Sequence, residues 1–129
     1  MVMEMNERVK LVPGGQHPIT LEKNPKHVIV SFDGVVVADT RNAVALKEAS
    51  YPAVQYIPRA DVDMRLLKRS LHTTYCPYKG DASYFHLSVG DAVSENAIWT
   101  YEMPYEAVAP IKEYVAFYPD RVDLVERGD

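Results

Sequence analysis

The chain has one cysteine, one tryptophan, no long apolar run and no cluster of basic residues. Each scarcity closes off a class of protein. A lone thiol, Cys76, can form no internal disulfide and no multi-cysteine zinc knuckle, so the reducing cytoplasm is the expected location. No stretch approaches the ~20 apolar residues of a membrane-spanning helix. The opening residues, Met1 to Arg8, carry charge where a signal peptide carries its apolar core. The 14 Lys and Arg residues are scattered and the net charge is −4, whereas proteins that grip phosphate backbones show a basic stripe. Nucleic acid and membrane are not expected partners.

What is present reads as one globular β domain. At 129 residues the chain has the length of a single domain, able to bury roughly two thirds of its unfolded surface. Residues 1–18 read as an arm punctuated by Pro13-Gly14-Gly15 and Pro18, and 19–129 as the domain. His27 to Phe32 alternates, Asp33-Gly34 follows, and Val35 to Asp39 resumes the β-branched pattern. Asp-Gly between two such runs predicts a hairpin, because a type I′ turn needs two residues that tolerate positive φ.

Strands are also expected at Ala43 to Ala49, Val54 to Ile57, Ala97 to Met103 and Tyr114 to Tyr118, with a short helix capped by Asp61 and running to Leu67. Pro104 opens a second short helical segment. Leu71 to Cys76 and Ala82 to Val89 flank a turn as a second hairpin. Turn signals at this spacing predict an all-β fold.

Chemistry concentrates at that second turn. Residues 73–84 hold Cys76, Lys79, Gly80 and the phenols Tyr75, Tyr78 and Tyr84. Gly80 lets backbone approach a ligand, and Lys79 beside it offers a point charge for a carboxylate or phosphate. Arg59, after Tyr56-Ile57-Pro58, offers a planar grip on an anion, or else an internal salt bridge to Asp61, Asp63 or Glu48.

Cys76 as a nucleophile needs a base or cation nearby. His72, four residues earlier on an extended strand, lies about 13 Å away at ~3.3 Å per residue, which leaves Lys79. As a structural group, Cys76 is a small buried apolar residue. His72 and His86 are expected to approach one another across the hairpin, yet two imidazoles with only Asp81 nearby make a poor metal site. No metal and no cofactor are expected.

The segments Glu48-Ala49-Ser50-Tyr51-Pro52, Tyr56-Ile57-Pro58-Arg59-Ala60-Asp61-Val62, Tyr75 to Tyr84 and Val115-Ala116-Phe117-Tyr118 resemble the family catalogued as domain of unknown function 427, from Pro13 to Asp123. The resemblance implies a small bacterial-type β domain of two antiparallel sheets, β-tent-like or sandwich-like, with one or two short helices. The family is sometimes labelled nucleotidyltransferase. This chain lacks the paired carboxylates and glycine-serine loop that such transfer needs for metal ions and phosphates. It also departs from the β-tent proteins that pin their sheets with cysteine-bound zinc.

The function expected from these residues is binding of a small anionic or planar molecule in an aromatic cleft. Tyr51, Tyr56, Trp99 and Tyr101 form its walls, Arg59 and Lys79 anchor charge, and His72, Cys76 and Tyr84 complete the lining. Two alternatives stand beside it: a cysteine-dependent enzyme using Cys76, and a structural module that pairs strand edges in a homodimer.

Overall fold

A computed structural model describes residues 8–128. The first part of the expected arm, 1–7, and residue 129 lie outside the described residues. The strands in chain order are β1 Ile19–Asn24, β2 His27–Phe32, β3 Val35–Thr40, β4 Ala43–Glu48, β5 Val54–Tyr56, β6 Leu67–Cys76, β7 Gly80–Val89, β8 Ala92–Thr100, β9 Val115–Phe117 and β10 Asp123–Arg127. All pairings are antiparallel. The all-β expectation holds, with three sheets where two were expected: β1-β4-β5, β10-β2-β3 and β6-β7-β8-β9.

The β2–β3 hairpin forms for the reason its sequence suggests. Asp33 and Gly34 take φ of 50° and 80°, the left-handed pair that a type I′ turn requires. Bridged by that turn, Phe32 faces Val35 across the ladder.

The four-stranded sheet is the middle layer, because β7, β8 and β9 bury residues on both faces. Register places Phe85, Ile98 and Phe117 side by side, and Tyr84, Trp99 and Ala116 one residue over. Since successive side chains on a strand point to opposite faces, these two rows feed two cores. Phe85, Leu87, Ile98, Val115 and Phe117 join Val28, Val30 and Val37 of the β10-β2-β3 sheet. Ala82, Tyr84, Tyr101 and Ala116 join Val44, Leu46 and Tyr56 of the β1-β4-β5 sheet. Strand β9, with Val115, Ala116 and Phe117 all buried, serves both.

Three local expectations change. The helix expected from Asp61 to Leu67 is two single 3-10 turns, Arg59–Asp61 and Met64–Leu66; Asp63, not Asp61, caps the second by accepting from the Arg65 amide, and Leu67 already begins β6. The broad turn at 73–84 shrinks to Pro77, Tyr78 and Lys79, because Cys76 pairs with Gly80 and the ladder continues through Thr73 and Ser83.

His72 and His86 do not approach one another across the hairpin. A bulge between Arg69 and Thr73 shifts the register so that His86 faces Lys68. His72 then packs on Tyr84, with ring centroids 4.6 Å apart, while His86 Nδ1 accepts from the Asn96 amide at 3.0 Å. Among the described residues no group of three His, Cys, Asp or Glu side chains is arranged to hold a metal ion. None of the described helices is long and apolar enough to cross a membrane.

Candidate functional site

The second core does not close completely. Between β4–β5 and the middle sheet a cleft of about 310 Å³ remains, lined by Leu46, Glu48, Tyr51, Pro52, Val54, Tyr56, Lys79, Tyr84, Trp99, Tyr101 and Tyr118. The alternation described above accounts for its walls. Tyr84 and Trp99 face each other across the β7–β8 ladder, and both turn away from the Phe85 row. Tyr56 ends β5 on the opposing sheet.

The rings are held by one another. Trp99 Nε1 donates to the Tyr56 hydroxyl at 3.1 Å, and the two rings meet edge to face, 89° apart in plane with centroids at 6.2 Å. Trp99 also lies 4.6 Å from Tyr118, and the hydroxyls of Tyr84 and Thr74 are 3.0 Å apart. Burial pushes the Tyr56 phenol well above its ordinary pKa.

Tyr101 differs from these neighbours. Its residue is 6% exposed, and burial likewise pushes its phenol far up. Among the described residues its hydroxyl has no hydrogen-bond partner. Among the described residues the sealed polar atoms without partners are Arg59 Nε and Asn96 Oδ1; the Tyr101 oxygen is not among them, so it keeps some accessible surface, and its residue lines the cleft.

Charge enters at one end. Lys79 is 7% exposed, and its ammonium donates to Glu48 Oε1. The other carboxylate oxygen, Oε2, accepts from His17 Nε2 at 2.7 Å. Because a carboxylate can only accept, Nε2 carries the imidazole proton. Burial raises the Glu48 carboxyl, but the bonds from Lys79 and His17 outweigh it, and its pKa ends below the ordinary value. Backbone delivers Lys79 here: its amide donates to the Cys76 carbonyl at 3.2 Å, and its own carbonyl accepts from the Tyr105 amide at 3.0 Å. Gly80, at φ 108°, then turns the chain against the backbone of Met103 and Pro104.

Of the residues expected at a site, Tyr51, Tyr56, Lys79, Tyr84, Trp99 and Tyr101 line this cleft. Tyr51 stands at its mouth, 62% exposed. Cys76 is half-buried and packs beside the same core without lining the cleft. Among the described residues no hydrogen bond joins its thiol to a base. His72 reaches the site only through its contact with Tyr84, from the exposed side.

Arg59 is not in the cleft. It donates to Thr100 Oγ1 at 3.1 Å and to Glu102 at 3.0 Å, and its guanidinium lies 5.7 Å over the Phe85 ring. Phe85 and Thr100 belong to the opposite face of the middle sheet, so Arg59 is spent on the far side. Its ion-pair partner is none of the three acids that sequence proximity suggests. Asp61 accepts from Thr40, Asp63 pairs with Arg65, and Glu48 holds Lys79.

Sequence reading missed Glu48 and Tyr118 as lining residues, and His17 behind them. Tyr118 was within reach: once Val115 and Phe117 take one face, Tyr114 and Tyr118 must take the other. Glu48 and His17 had no such signal, because their role depends on which strand packs over the Lys79 turn.

No curated protein matches the chain. The family model described as a domain of unknown function, DUF427, matches residues 20–128. With that match spanning most of its length and both walls of the cleft, the chain belongs to the DUF427 family.

Proposed function

We propose that this protein is a small-molecule-binding domain whose cleft holds a small planar or anionic ligand of one or two rings. The supporting observation is Tyr101, a buried residue that lines the cleft and whose hydroxyl has no hydrogen-bond partner among the described residues. In the free protein water solvates that hydroxyl, and a ligand acceptor can take the place of that water at little cost. The size supports the same reading: a cavity of ~150 Å³ accommodates benzene, and this one is about 310 Å³. Flanking rings of Tyr84, Trp99 and Tyr118 suit a flat ligand.

Lys79 offers an anion less than its sequence position suggests, because Glu48 already neutralises it. A planar ligand with a polar edge therefore fits better than a bare anion. Its edge would meet Tyr101, and its charge, if any, would share Lys79 with Glu48. A bacterial cytoplasm suits a chain whose lone thiol, Cys76, is unpaired.

Trp99 is the only tryptophan and lines the cleft, so its fluorescence reports occupancy directly. Titration with aromatic carboxylates, amides and nucleosides is expected to shift it, and Tyr101→Phe is expected to weaken the best binder about 2–10-fold by deleting one hydrogen bond. The same substitution should leave the melting temperature equal or higher, since no protein partner is lost. If Tyr101→Phe binds every probe as the unaltered chain does, the reading fails.

A second reading, a homodimer, is favoured by the edge strand β3, whose Val35 and Val36 are 39% and 53% exposed. Sedimentation at high concentration tests it, and a strict monomer removes it.

A further inference from the structure

The family match begins at residue 20, yet the charged end of the cleft is held from upstream of it. The Leu11 amide donates to the Pro77 carbonyl at 3.0 Å, inside the turn that carries Lys79. The Tyr75 hydroxyl donates to the Val9 carbonyl at 2.7 Å, and Arg8 pairs with Asp81. These contacts lay residues 8–12 along one side of the β6–β7 turn. The chain then reverses at Gly14 and His17, which exchange backbone hydrogen bonds at 3.0 and 2.9 Å. That reversal presents the His17 side chain to the same turn from the other side.

His17 makes two contacts there, and both bear on Lys79. Its ring stacks on Tyr78, the residue before Lys79, with centroids 4.1 Å apart and planes within 6°. Its Nε2 donates to Glu48 Oε2, while Lys79 holds Oε1 of the same carboxylate. Without His17, one oxygen of a carboxylate that is only 19% exposed would lack a protein donor, which leaves Glu48 free to turn away from the lysine.

We propose that residues 8–18 are part of the ligand site, a strap in which His17 is a positioning residue: it locks Glu48 onto Lys79 and so fixes the charged end of the cleft. The ligand-binding half of this inference rests on the function proposed above; the lock itself does not. Cleft geometry is then set by a segment outside the matched family region, so relatives that share residues 20–128 need not share this end of the site.

Two measurements on the full chain separate these parts. The first is the acetylation rate of each lysine by acetic anhydride, read by mass spectrometry on folded protein. Lys79 should be the slowest to react in the unaltered chain. In His17→Ala its rate should rise about tenfold, the loss expected when a charge-assisted hydrogen bond no longer restrains the pair. His17→Gln, which keeps a donor, should restore most of the protection, whereas His17→Leu, which keeps bulk without a donor, should not. If His17→Ala proves unfolded, Tyr78→Leu removes the stacking beneath the imidazole and should raise the Lys79 rate in the same direction. A Lys79 rate unchanged in a folded His17→Ala or Tyr78→Leu overturns the strap.

The second measurement is the affinity of naphthalene-2-sulfonate, a planar two-ring anion, read from the fluorescence of Trp99. Affinity should rise in His17→Ala, because a Lys79 released from Glu48 is free to hold the sulfonate, and return to that of the unaltered chain in His17→Gln. Faster acetylation with no binding of this probe even to the unaltered chain keeps the lock and counts against its role in ligand binding. Unaltered probe affinity in a folded His17→Ala overturns that role as well.

Discussion

Two carboxylates on opposite faces of the middle sheet each hold two basic side chains, and they differ in almost everything else. Glu48 faces the cleft with Lys79 and His17, with side-chain exposures of 19%, 9% and 30%. Glu102 lies on the other face with Arg59 and Arg69, the latter 53% exposed. Both arginines also lie over the Phe85 ring, at 5.7 and 5.1 Å. The outer cluster covers a finished core and adds planar, multiply bonded contacts to it. The inner cluster borders a space that the protein leaves unfilled. Similar charges thus seal one core and furnish the rim of a cleft at the other.

The comparison breaks most clearly at Lys79. Lys79→Met leaves the half-buried Glu48 charge with His17 alone, and loss of one charged hydrogen-bond partner there costs about 1.5–3 kcal/mol. Urea denaturation should show a large fall in the midpoint. A change below ~1 kcal/mol would mean that the inner pair behaves like a surface one.

Acid sharpens the contrast next. Hydrogen bonding to Arg69 lowers the Glu102 carboxyl, with Arg59 adding to it against burial, and Glu48 is lowered as described. A carboxyl that is more acidic folded than unfolded stabilises the fold fully above its unfolded value of about 4.3. That contribution disappears as pH falls through the folded value. Stability should therefore decline below about pH 4.5, and Glu48→Gln and Glu102→Gln should each flatten the decline. A profile identical to that of the unaltered chain in both variants would contradict the assignment.

The smallest effect belongs to Arg69→Ala, because Arg59 still holds Glu102 and the Arg69 side chain is mostly in water. A loss of no more than ~1 kcal/mol is expected. A larger one, measured in the same urea experiment, would place Arg69 with the core rather than over it.

How much of this was legible beforehand depends on the range of the contacts. The Asp33-Gly34 hairpin needed only neighbours, and the alternation of β7 and β9 announced which residues share a face. The Tyr101 and Trp99 walls followed from the same alternation along 97–103. The Cys76–Gly80 turn was recognised as chemically dense, but its length was overestimated because tyrosines and threonines that continue a ladder also suit a loop. Arg59 follows the stiff Pro58, which suggests the cleft, yet it opens a 3-10 turn and reaches Thr100 and Glu102 on the other face of the middle sheet.

Backbone preference and the two-residue period of side chains made this chain a β protein, placed its turns and sorted its aromatic rows before any strand met another. Packing alone chose the companions of its charges. Glu48 and Lys79 lie 31 residues apart, and Arg59 and Glu102 lie 43 apart. Pairings over such separations arise only when whole sheets stack, because burial forces each ion towards whichever opposite charge the stacking leaves within reach.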